Sequence, residues 1–536
     1  MNRSGRRGTL RLLVGAVGTA LALALVACGK SESPPPEAAA VAPPQAAFTI
    51  LAGSELKDLE GAIVGAARAV GVDVKLTYAG TLDIVERINA GERFDAILPP
   101  NGAYPALALQ SKPLARDKLF YSRIALGVKA AKAAELGWSD RAPGWAEIAK
   151  AAGAGQLRYG MTNATSSNTG MSALFAVASA LAGKTEDLTA QDVDEKVLKA
   201  FLSGQKLTAG SSGWLAEAYI RNPAAIDAMV NYEAVILRAN EKLAPADRLM
   251  LLYPRDGMIS ADYPLMLLNG DKREAHAKLV TTLKAAPFQR DVLSAAFLRP
   301  ANPEVAAASA LPSAAVAELS FPNRLEAIDA VLGAYQAQWR KPATSIFVLD
   351  LSGSMKGQRL SSMRDALKLL SGADASSAAT TASARYSAFQ DRERVVLITF
   401  ATEVSKPVWV RFEPDQTDAA RAELRRQADA MVADGGTAIY SALAAAEELA
   451  RQEQEREPDR FVSIVLLTDG ESNAGLKVDE FRARYGGGLP ARIFPILFGE
   501  GNVAEMQQIA QLSGGREFDG RKFQLGQVFK EIRGYQ

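Results

Sequence analysis

The residue pattern with the most specific chemistry is Asp-x-Ser-x-Ser, formed by Asp350, Ser352 and Ser354. It follows the apolar run 345–349, which predicts a buried strand, and it precedes a helix predicted over 359–370. One carboxylate and two hydroxyls therefore stand at the carboxyl end of a predicted strand, where doubly wound sheets bind ligands. Such hard oxygen ligands suit Mg2+, Mn2+ or Ca2+ and suit soft metals poorly.

This pattern resembles the metal-ion-dependent adhesion site of von Willebrand factor type A (VWA) domains. Two further elements of that family follow in the expected order: the loop Gly435-Gly436-Thr437 before a predicted helix, and the apolar strand 461–468 that ends at Asp469. The resemblance implies a doubly wound, Rossmann-like domain that binds a divalent cation, with Mg2+ preferred and Ca2+ or Mn2+ as alternatives. The implied cation ligands are Asp350, Ser352, Ser354, Thr437 and Asp469.

An open coordination position would give this cation its function. Two carboxylates balance a divalent charge but do not complete an octahedral coordination shell. An acidic side chain of a protein partner can enter as the last ligand, so the metal would act as the adhesive. We therefore expect a binding domain and not an enzyme.

The composition excludes several other functions. Lys and Arg number 61 against 60 Asp and Glu, so no basic excess favours nucleic acid as a partner. The single cysteine and single histidine exclude thiolate zinc sites, internal disulfides and mechanisms that need two imidazoles. His276 lies among charged residues and is expected on the exposed surface. Hydrolysis lacks a nucleophile elbow. The resemblance to VWA domains implies a metal whose open position faces outward with no paired base beside it, which argues against a metal-assisted reaction at Asp350 and Asp469.

Residues 47–300 alternate predicted strands and helices, which indicates an α/β domain with a parallel sheet. Ser54 and Thr81 each follow a predicted strand at the start of a helix. There, free backbone N–H groups and a hydroxyl can hold an anion or another polar group, with plain N-capping as the alternative role.

The order of these elements, with the polar run 161–170 and the phrases VNYEAV and YPRDGMISADYPLMLL, resembles a type II periplasmic solute-binding protein. The molybdate-type branch of that family is the most similar. The resemblance implies two lobes with the ligand between them at helix N-termini. The implied contacts are Ser54, Thr81, Thr165, Ser166, Ser167, Asn168 and Tyr232. This hydroxyl-rich lining suits a small oxyanion or a peptide backbone, and the sequence does not choose between them.

The N-terminus predicts export. Residues 1–27 carry four arginines, no acidic residue and an apolar run, the pattern of a signal peptide. Leu25-Val26-Ala27 before Cys28 resembles the lipobox of bacterial lipoproteins, which implies cleavage before Cys28 and acylation of that cysteine with diacylglycerol and a fatty acid such as palmitate. Several acyl chains form a firm membrane anchor. By the same resemblance, Gly29 favours the periplasmic face of the outer membrane.

The sequence thus predicts five segments: a signal peptide (1–27), the acylated cysteine and a Pro/Ala-rich spacer (28–46), a two-lobed solute-binding-like domain (47–300), a linker with a bracing helix (301–340) and a VWA domain (341–536). A polar insertion, 371–391, interrupts the VWA domain. We expect a lipid-anchored envelope protein that grips a protein partner through the cation, with the first domain sensing a solute or serving as a scaffold. The alternative is an uptake receptor for a small, molybdate-like oxyanion that works with an ABC transporter.

Overall fold

The structure is a computed structural model that describes residues 47–372, 388–486, 488–499, 502–521 and 525–535. The predicted signal peptide, Cys28, the spacer and most of the insertion at 371–391 lie outside the described residues. Residues 46–536 belong to one compact unit that holds both folded domains. In the described part of the chain, no helix is both long enough and apolar enough to span a membrane.

The N-terminal domain is built from twelve strands and ten α-helices in its described residues. The strands are β1 (Phe48–Gly53), β2 (Val74–Ala79), β3 (Ala96–Leu98), β4 (Ala115–Lys118), β5 (Phe120–Lys129), β6 (Tyr159–Thr162), β7 (Gln205–Ala209), β8 (Ala228–Tyr232), β9 (Leu249–Leu252), β10 (Ser260–Ala261), β11 (Pro264–Leu267) and β12 (Arg299–Pro300). The helices are α1 (Glu60–Ala69), α2 (Thr81–Asn89), α3 (Ala103–Ala108), α4 (Ala130–Glu135), α5 (Trp145–Gly153), α6 (Asn168–Ala182), α7 (Glu195–Ser203), α8 (Ser212–Arg221), α9 (Glu233–Asn240) and α10 (Arg273–Lys284).

Two sheets divide this domain into two lobes. Lobe 1 has the strand order β2-β1-β3-β11-β4, in which β1 is parallel to β2 and β3 while β11 is antiparallel to its neighbours. Lobe 2 has the order β10-β5-β8-β6-β7, with β9 and β12 also paired to β5. The chain enters lobe 2 at β5 and returns to lobe 1 through β11. The predicted two-lobed α/β architecture is confirmed.

Two helix starts are predicted in this domain: the second agrees with α2, which begins at Thr81, but the first differs. A 3-10 helix spans Ser54–Leu59 and α1 begins at Glu60, where the sequence predicts one helix over 56–70. The exposed position predicted for His276 is wrong, because the residue is only 4% exposed. It lies on the buried face of α10 with Leu279 and Leu283, at positions i, i+3 and i+7, so helical periodicity outweighs its charged neighbours in sequence.

The C-terminal domain and the linker before it contain six strands and seven α-helices among their described residues. The strands are β13 (Ala343–Asp350), β14 (Glu393–Phe400), β15 (Val408–Phe412), β16 (Phe461–Thr468), β17 (Arg492–Leu497) and β18 (Phe518–Asp519). The helices are α11 (Leu325–Ala334), which is the predicted bracing helix, α12 (Gln358–Leu370), α13 (Thr417–Ala430), α14 (Ile439–Arg456), α15 (Val478–Tyr485), α16 (Val503–Ser513) and α17 (Leu525–Arg533).

These strands form one sheet, β15-β14-β13-β16-β17-β18, in which only β15 is antiparallel. All eight residues of β13 are buried, as expected for a central parallel strand covered on both faces. Phe347 and Leu349 face α12, α13 and α17, in a core that continues into the N-terminal domain. Ile346 and Val348 face a separate core with α14, α15 and α16. The predicted doubly wound architecture is confirmed.

A buried ion cluster joins the linker to the sheet and to the last helix. Glu393, the first residue of β14, accepts hydrogen bonds from Nη2 of Arg533 at 2.8 and 3.0 Å and from Nη2 of Arg340. Arg340 follows the linker helices and Arg533 ends α17. Burial raises the pKa of Glu393, but the charges of Arg533 and Arg340 outweigh burial and hold the pKa below its usual range.

We predict that Glu393→Gln lowers the free energy of unfolding by about 3–5 kcal/mol, because it leaves two buried guanidinium groups without their counter-charge. Urea denaturation followed by circular dichroism measures the change. The control is Glu403→Gln, an exposed site where we expect a change within about 0.5 kcal/mol. Equal stability of Glu393→Gln and the wild type would contradict a structural role for the cluster.

A second buried glutamate predicts a pH dependence. Oε2 of Glu447, in α14, accepts a hydrogen bond from the backbone N–H of Ala491 at 3.1 Å, and burial raises the pKa of Glu447 to about 8. The folded state therefore keeps a proton that the unfolded state releases, and stability falls as pH rises from the usual glutamate pKa towards 8. We expect Glu447→Gln to raise the Tm by roughly 2–4 °C or more at pH 8 and by less at pH 5. A Tm gain that is equal at both pH values would contradict the assignment.

Candidate metal centre and solute cleft

The predicted metal ligands come from three separate segments that meet at the carboxyl edge of the C-terminal sheet. Asp350 ends β13 and Asp469 follows β16, and these strands are parallel neighbours at the centre of the sheet. Ser352 and Ser354 lie on the loop after β13, and Thr437 lies on the loop before α14. Parallel strands end at a common edge, which brings residues distant in sequence together.

Hydrogen bonds orient both carboxylates. Ser354 Oγ donates to Oδ1 of Asp469 at 2.8 Å, and the hydroxyl oxygens of Ser352 and Ser354 lie 3.1 Å apart. Asp350 accepts hydrogen bonds from the backbone N–H of Ser352 at 2.7 Å and from the hydroxyl of Thr468 at 2.6 Å. Since an ionised carboxylate offers about four lone-pair directions, each carboxylate retains capacity for a further partner.

Thr437 is held in position by the loop that follows β16. Its backbone N–H donates to Oδ1 of Asn473 at 2.8 Å, and a Cβ built on Gly470 would lie 4.0 Å from its hydroxyl oxygen. The backbone N–H of Gly353 donates to the carbonyl of Gly435 at 3.0 Å, which joins the two loops. The Thr437 hydroxyl therefore lies beside the segment that follows β16.

The site concentrates negative charge and holds one arginine. Burial raises the pKa of Asp350, and the nearby charge of Asp469 adds to the increase, while hydrogen bonds from Thr468 and Ser352 oppose it. The guanidinium of Arg359 contacts Oδ2 of Asp469 and lies 3.3 Å from the carbonyl of Ser354. Arg359 thus supplies the positive charge beside the two carboxylates.

The chemistry of this donor set fits a hard divalent cation. Two carboxylates and three hydroxyls offer oxygen alone, which suits Mg2+, Ca2+ or Mn2+. Within the described ranges, no group of three or more His, Cys, Asp and Glu side chains is placed to hold a metal ion. The candidate site therefore depends on hydroxyl ligands beside its two carboxylates, and an added cation would meet Arg359 at Asp469.

The predicted solute contacts fall into two groups. Three of them line a cavity of about 720 Å³ bounded by both lobes and by the C-terminal domain: Ser54, Thr165 and Ser166. The other four are buried outside that lining: Thr81, Ser167, Asn168 and Tyr232. The structure brings Asn168 and Tyr232 together, since Nδ2 of Asn168 donates to the Tyr232 hydroxyl at 2.8 Å.

Buried polar atoms without partners mark three helix N-termini in this region. Thr81 begins α2, Asn168 begins α6 and Ser211 precedes α8. Among the described residues, no hydrogen-bond partner exists for Thr81 Oγ1, Asn168 Oδ1 or Ser211 Oγ. Because an unpaired buried polar atom is costly, a ligand or ordered water is expected to satisfy these atoms.

Glu55 is a buried residue between the two lobes, at the N-terminus of α8, that the sequence reasoning missed. Its carboxyl group is buried, and Oε2 lies 3.5 Å from the hydroxyl of Ser212, the first residue of α8. Burial raises the pKa of Glu55 to about 7. Ser211 was also missed, although Ala209-Gly210-Ser211 at the end of β7 repeats Ala52-Gly53-Ser54 at the end of β1. This repeat was the signal that could have identified α8 as a third helix at the cleft.

Known protein families match both folded domains. Residues 48–292 match the model of the bacterial extracellular solute-binding protein family, and residues 345–471 match the model of the von Willebrand factor type A domain. The human inter-alpha-trypsin inhibitor heavy chain H4 is 32% identical over 140 residues, which cover 25% of this chain and 13% of that protein.

Three solved structures are similar to parts of this chain. The periplasmic binding protein AfuA from Actinobacillus pleuropneumoniae has 12% identity and a TM-score of 0.41, covering 54% of this chain and 97% of that chain. The ferric binding protein from Campylobacter jejuni has 15% identity and a TM-score of 0.41, and the match covers 54% of this chain and 98% of that chain. A von Willebrand factor type A protein from Catenulispora acidiphila has 20% identity and a TM-score of 0.27, covering 36% and 42%. The chain thus combines a bacterial extracellular solute-binding domain with a von Willebrand factor type A domain.

Proposed function

We propose that this protein is an exported, lipid-anchored binding protein of the bacterial envelope. Its VWA domain grips an acidic side chain of a protein partner through a divalent cation, with Mg2+ preferred. Its solute-binding domain senses a small solute or serves as a scaffold. Acylation of Cys28, on the periplasmic face of the outer membrane, would hold both domains at the membrane surface.

One observation carries this proposal: oxygen atoms from three separated segments converge at the carboxyl edge of the VWA sheet. Asp350, Ser352, Ser354, Thr437 and Asp469 would hold the cation, some directly and some through water. When bound, the cation supplies a Lewis-acidic coordination position that a partner carboxylate can fill. The hydrogen bond from Thr468 and those among the ligands keep both carboxylates oriented for this role.

Binding, rather than catalysis, agrees with the chemistry around the site. The five candidate ligands include no imidazole, amine or thiol, and the single histidine of the chain belongs to the other domain. The nearest described basic group, Arg359, is engaged with Asp469 and does not serve as a proton acceptor at neutral pH. We therefore assign no reaction to this edge of the sheet.

Calorimetric titration of Mg2+ and Mn2+ into the chelator-treated full-length chain tests the site. We expect Asp350→Asn to weaken binding by more than roughly a hundredfold, since even changes outside the ligand set cost about 10–100-fold. Asn keeps the shape of the side chain and removes its charge.

Arg359→Gln is the matched variant, for which we expect the opposite change in cation affinity. It removes a positive charge that contacts Asp469, so we expect cation affinity to rise about tenfold. Equal affinity in the wild type, Asp350→Asn and Arg359→Gln would reject this site as the cation site of the protein.

Uptake of a small oxyanion is the alternative function, and Glu55 weighs against an anion at the N-terminus of α8. Its carboxyl group lies 3.5 Å from the hydroxyl of Ser212 at the N-terminus of α8, where an anion would otherwise bind. Its pKa of about 7 means that this carboxyl group is charged above neutral pH and repels a second anion. An anion is therefore disfavoured at the N-terminus of α8.

We predict that the full-length chain shows no binding heat with sulfate or molybdate at pH 8, where the Glu55 carboxylate is charged. The measurement is calorimetric titration of each anion after extensive dialysis. Saturable binding of either anion at pH 8, with a Kd in the micromolar range or below, would favour the uptake receptor instead.

A further inference from the structure

The last helix of the VWA domain contacts both lobes of the solute-binding domain. Lys530 of α17 places Nζ 2.5 Å from Oε1 of Glu86, which belongs to α2 of lobe 1. Gly534, just after α17, packs against Gly210 of lobe 2 so closely that a Cβ on Gly534 would lie 2.6 Å from the Cα of Gly210. One short segment therefore bridges the two lobes.

Trp214 of lobe 2 is enclosed by two side chains of the VWA domain. The guanidinium of Arg516 lies 3.6 Å from the centroid of the Trp214 ring, and the ring of Tyr535 stacks on it at 6.1 Å. Nη1 of Arg516 also lies 2.8 Å from Oε1 of Glu531 in α17. These contacts combine cation–π attraction with apolar burial, so they fasten the end of the chain to α8.

Ser166, a candidate solute contact, is the point where the two lobes and the end of the chain meet. A Cβ on Gly80 of lobe 1 would lie 2.1 Å from the Ser166 carbonyl oxygen, and a Cβ on Gly534 would lie 3.1 Å from its hydroxyl oxygen. The Ser166 hydroxyl oxygen lies 3.2 and 3.3 Å from the carbonyl oxygens of Asn163 and Gly210, to either of which it can donate its single proton. The lobes thus touch each other directly beside the segment that bridges them.

The same segment forms a wall of the cleft. The cavity of about 720 Å³ between the lobes is lined by Lys530, Glu531 and Gly534 as well as by Ser54 and Ser166. A solute in this cavity therefore lies beside residues of the VWA domain. The bridging segment, residues 525–535, is called the C-terminal clamp below.

We propose that the C-terminal clamp holds the two lobes closed, and that exchange of solute at the cleft requires its release. This inference rests on the proposed solute-binding role of the cleft. The clamp contacts lobe 1 through the ion pair of Lys530 and lobe 2 through Gly534 and Tyr535. The lobes therefore cannot move apart while the clamp keeps both sets of contacts. Regulation of the cleft thus lies in the VWA domain.

Hydrogen–deuterium exchange of the full-length chain tests the clamp without any solute. In Gly534→Val the added side chain meets Gly210 and Ser166 and unseats the clamp. We expect amides of 80–85 and 166–171, which face the lobe contact, to exchange roughly tenfold faster than in the wild type. The matched control is Gly61→Val, because a Cβ at Gly61 meets no atom within 4 Å and the lobes should stay closed.

Trp214→Ala provides a second route, because it releases the clamp from the lobe side and leaves the VWA sequence unchanged. We expect the same faster exchange at 80–85 and 166–171, with β13 and β16 still protected. If Gly534→Val also speeds exchange in β13, the VWA domain itself is destabilised, and the result for Trp214→Ala then tests the clamp. Faster exchange of residues 525–535 with unchanged exchange at the lobe contact would overturn the proposal. Because the experiment contains no solute, its result is independent of whether the cleft binds one.

Discussion

The buried ion cluster of Glu393 with Arg340 and Arg533 links the two segments that connect the domains. The cluster holds Arg340, at the end of the linker, and Arg533, at the end of α17, against the first residue of β14. Both arginine-bearing segments also contact the solute-binding domain: the linker through Gln336, whose Oε1 lies 3.4 Å from the Thr165 hydroxyl, and α17 through Lys530. Because buried guanidinium groups require a counter-charge, one carboxylate holds both segments at the start of β14.

The sequence predicted the VWA sheet and its candidate metal ligands because the required information is local. A continuous apolar run identifies a parallel strand covered on both faces, and Asp-x-Ser-x-Ser places oxygen ligands directly after it. Thr468 and Arg359 were missed for a different reason. Thr468 contacts Asp350 across neighbouring strands, and Arg359 reaches Asp469 from the first turn of α12, so both depend on tertiary packing.

The solute cleft and the clamp were less predictable from the sequence. Thr81 and Ser54 follow strands, which gave a local signal, whereas Glu55 acquires its role through burial against α8 of the other lobe. Helix α17 and strands β15 and β18 were not predicted. Strand β18 has two residues, too short for a hydrophobic period. Helix α17 did carry a signal that the sequence analysis overlooked, because its buried residues Leu525, Val528, Phe529 and Ile532 recur at helical spacing. Their positions follow from packing against a sheet formed by distant residues.

Helix α12 connects the candidate metal centre with the clamp. Its first turn carries Arg359, which contacts Asp469, and its last turn packs on α17, where a Cβ on Gly526 would lie 2.7 Å from Cδ2 of Leu369. Displacing α17 therefore removes packing from the helix that carries the arginine of the metal site. If cation binding releases Arg359 from Asp469, it changes the same helix from its other end. If the cation binds more tightly with α12 in one position, linkage requires that cation binding shift the seating of the clamp by the same free energy.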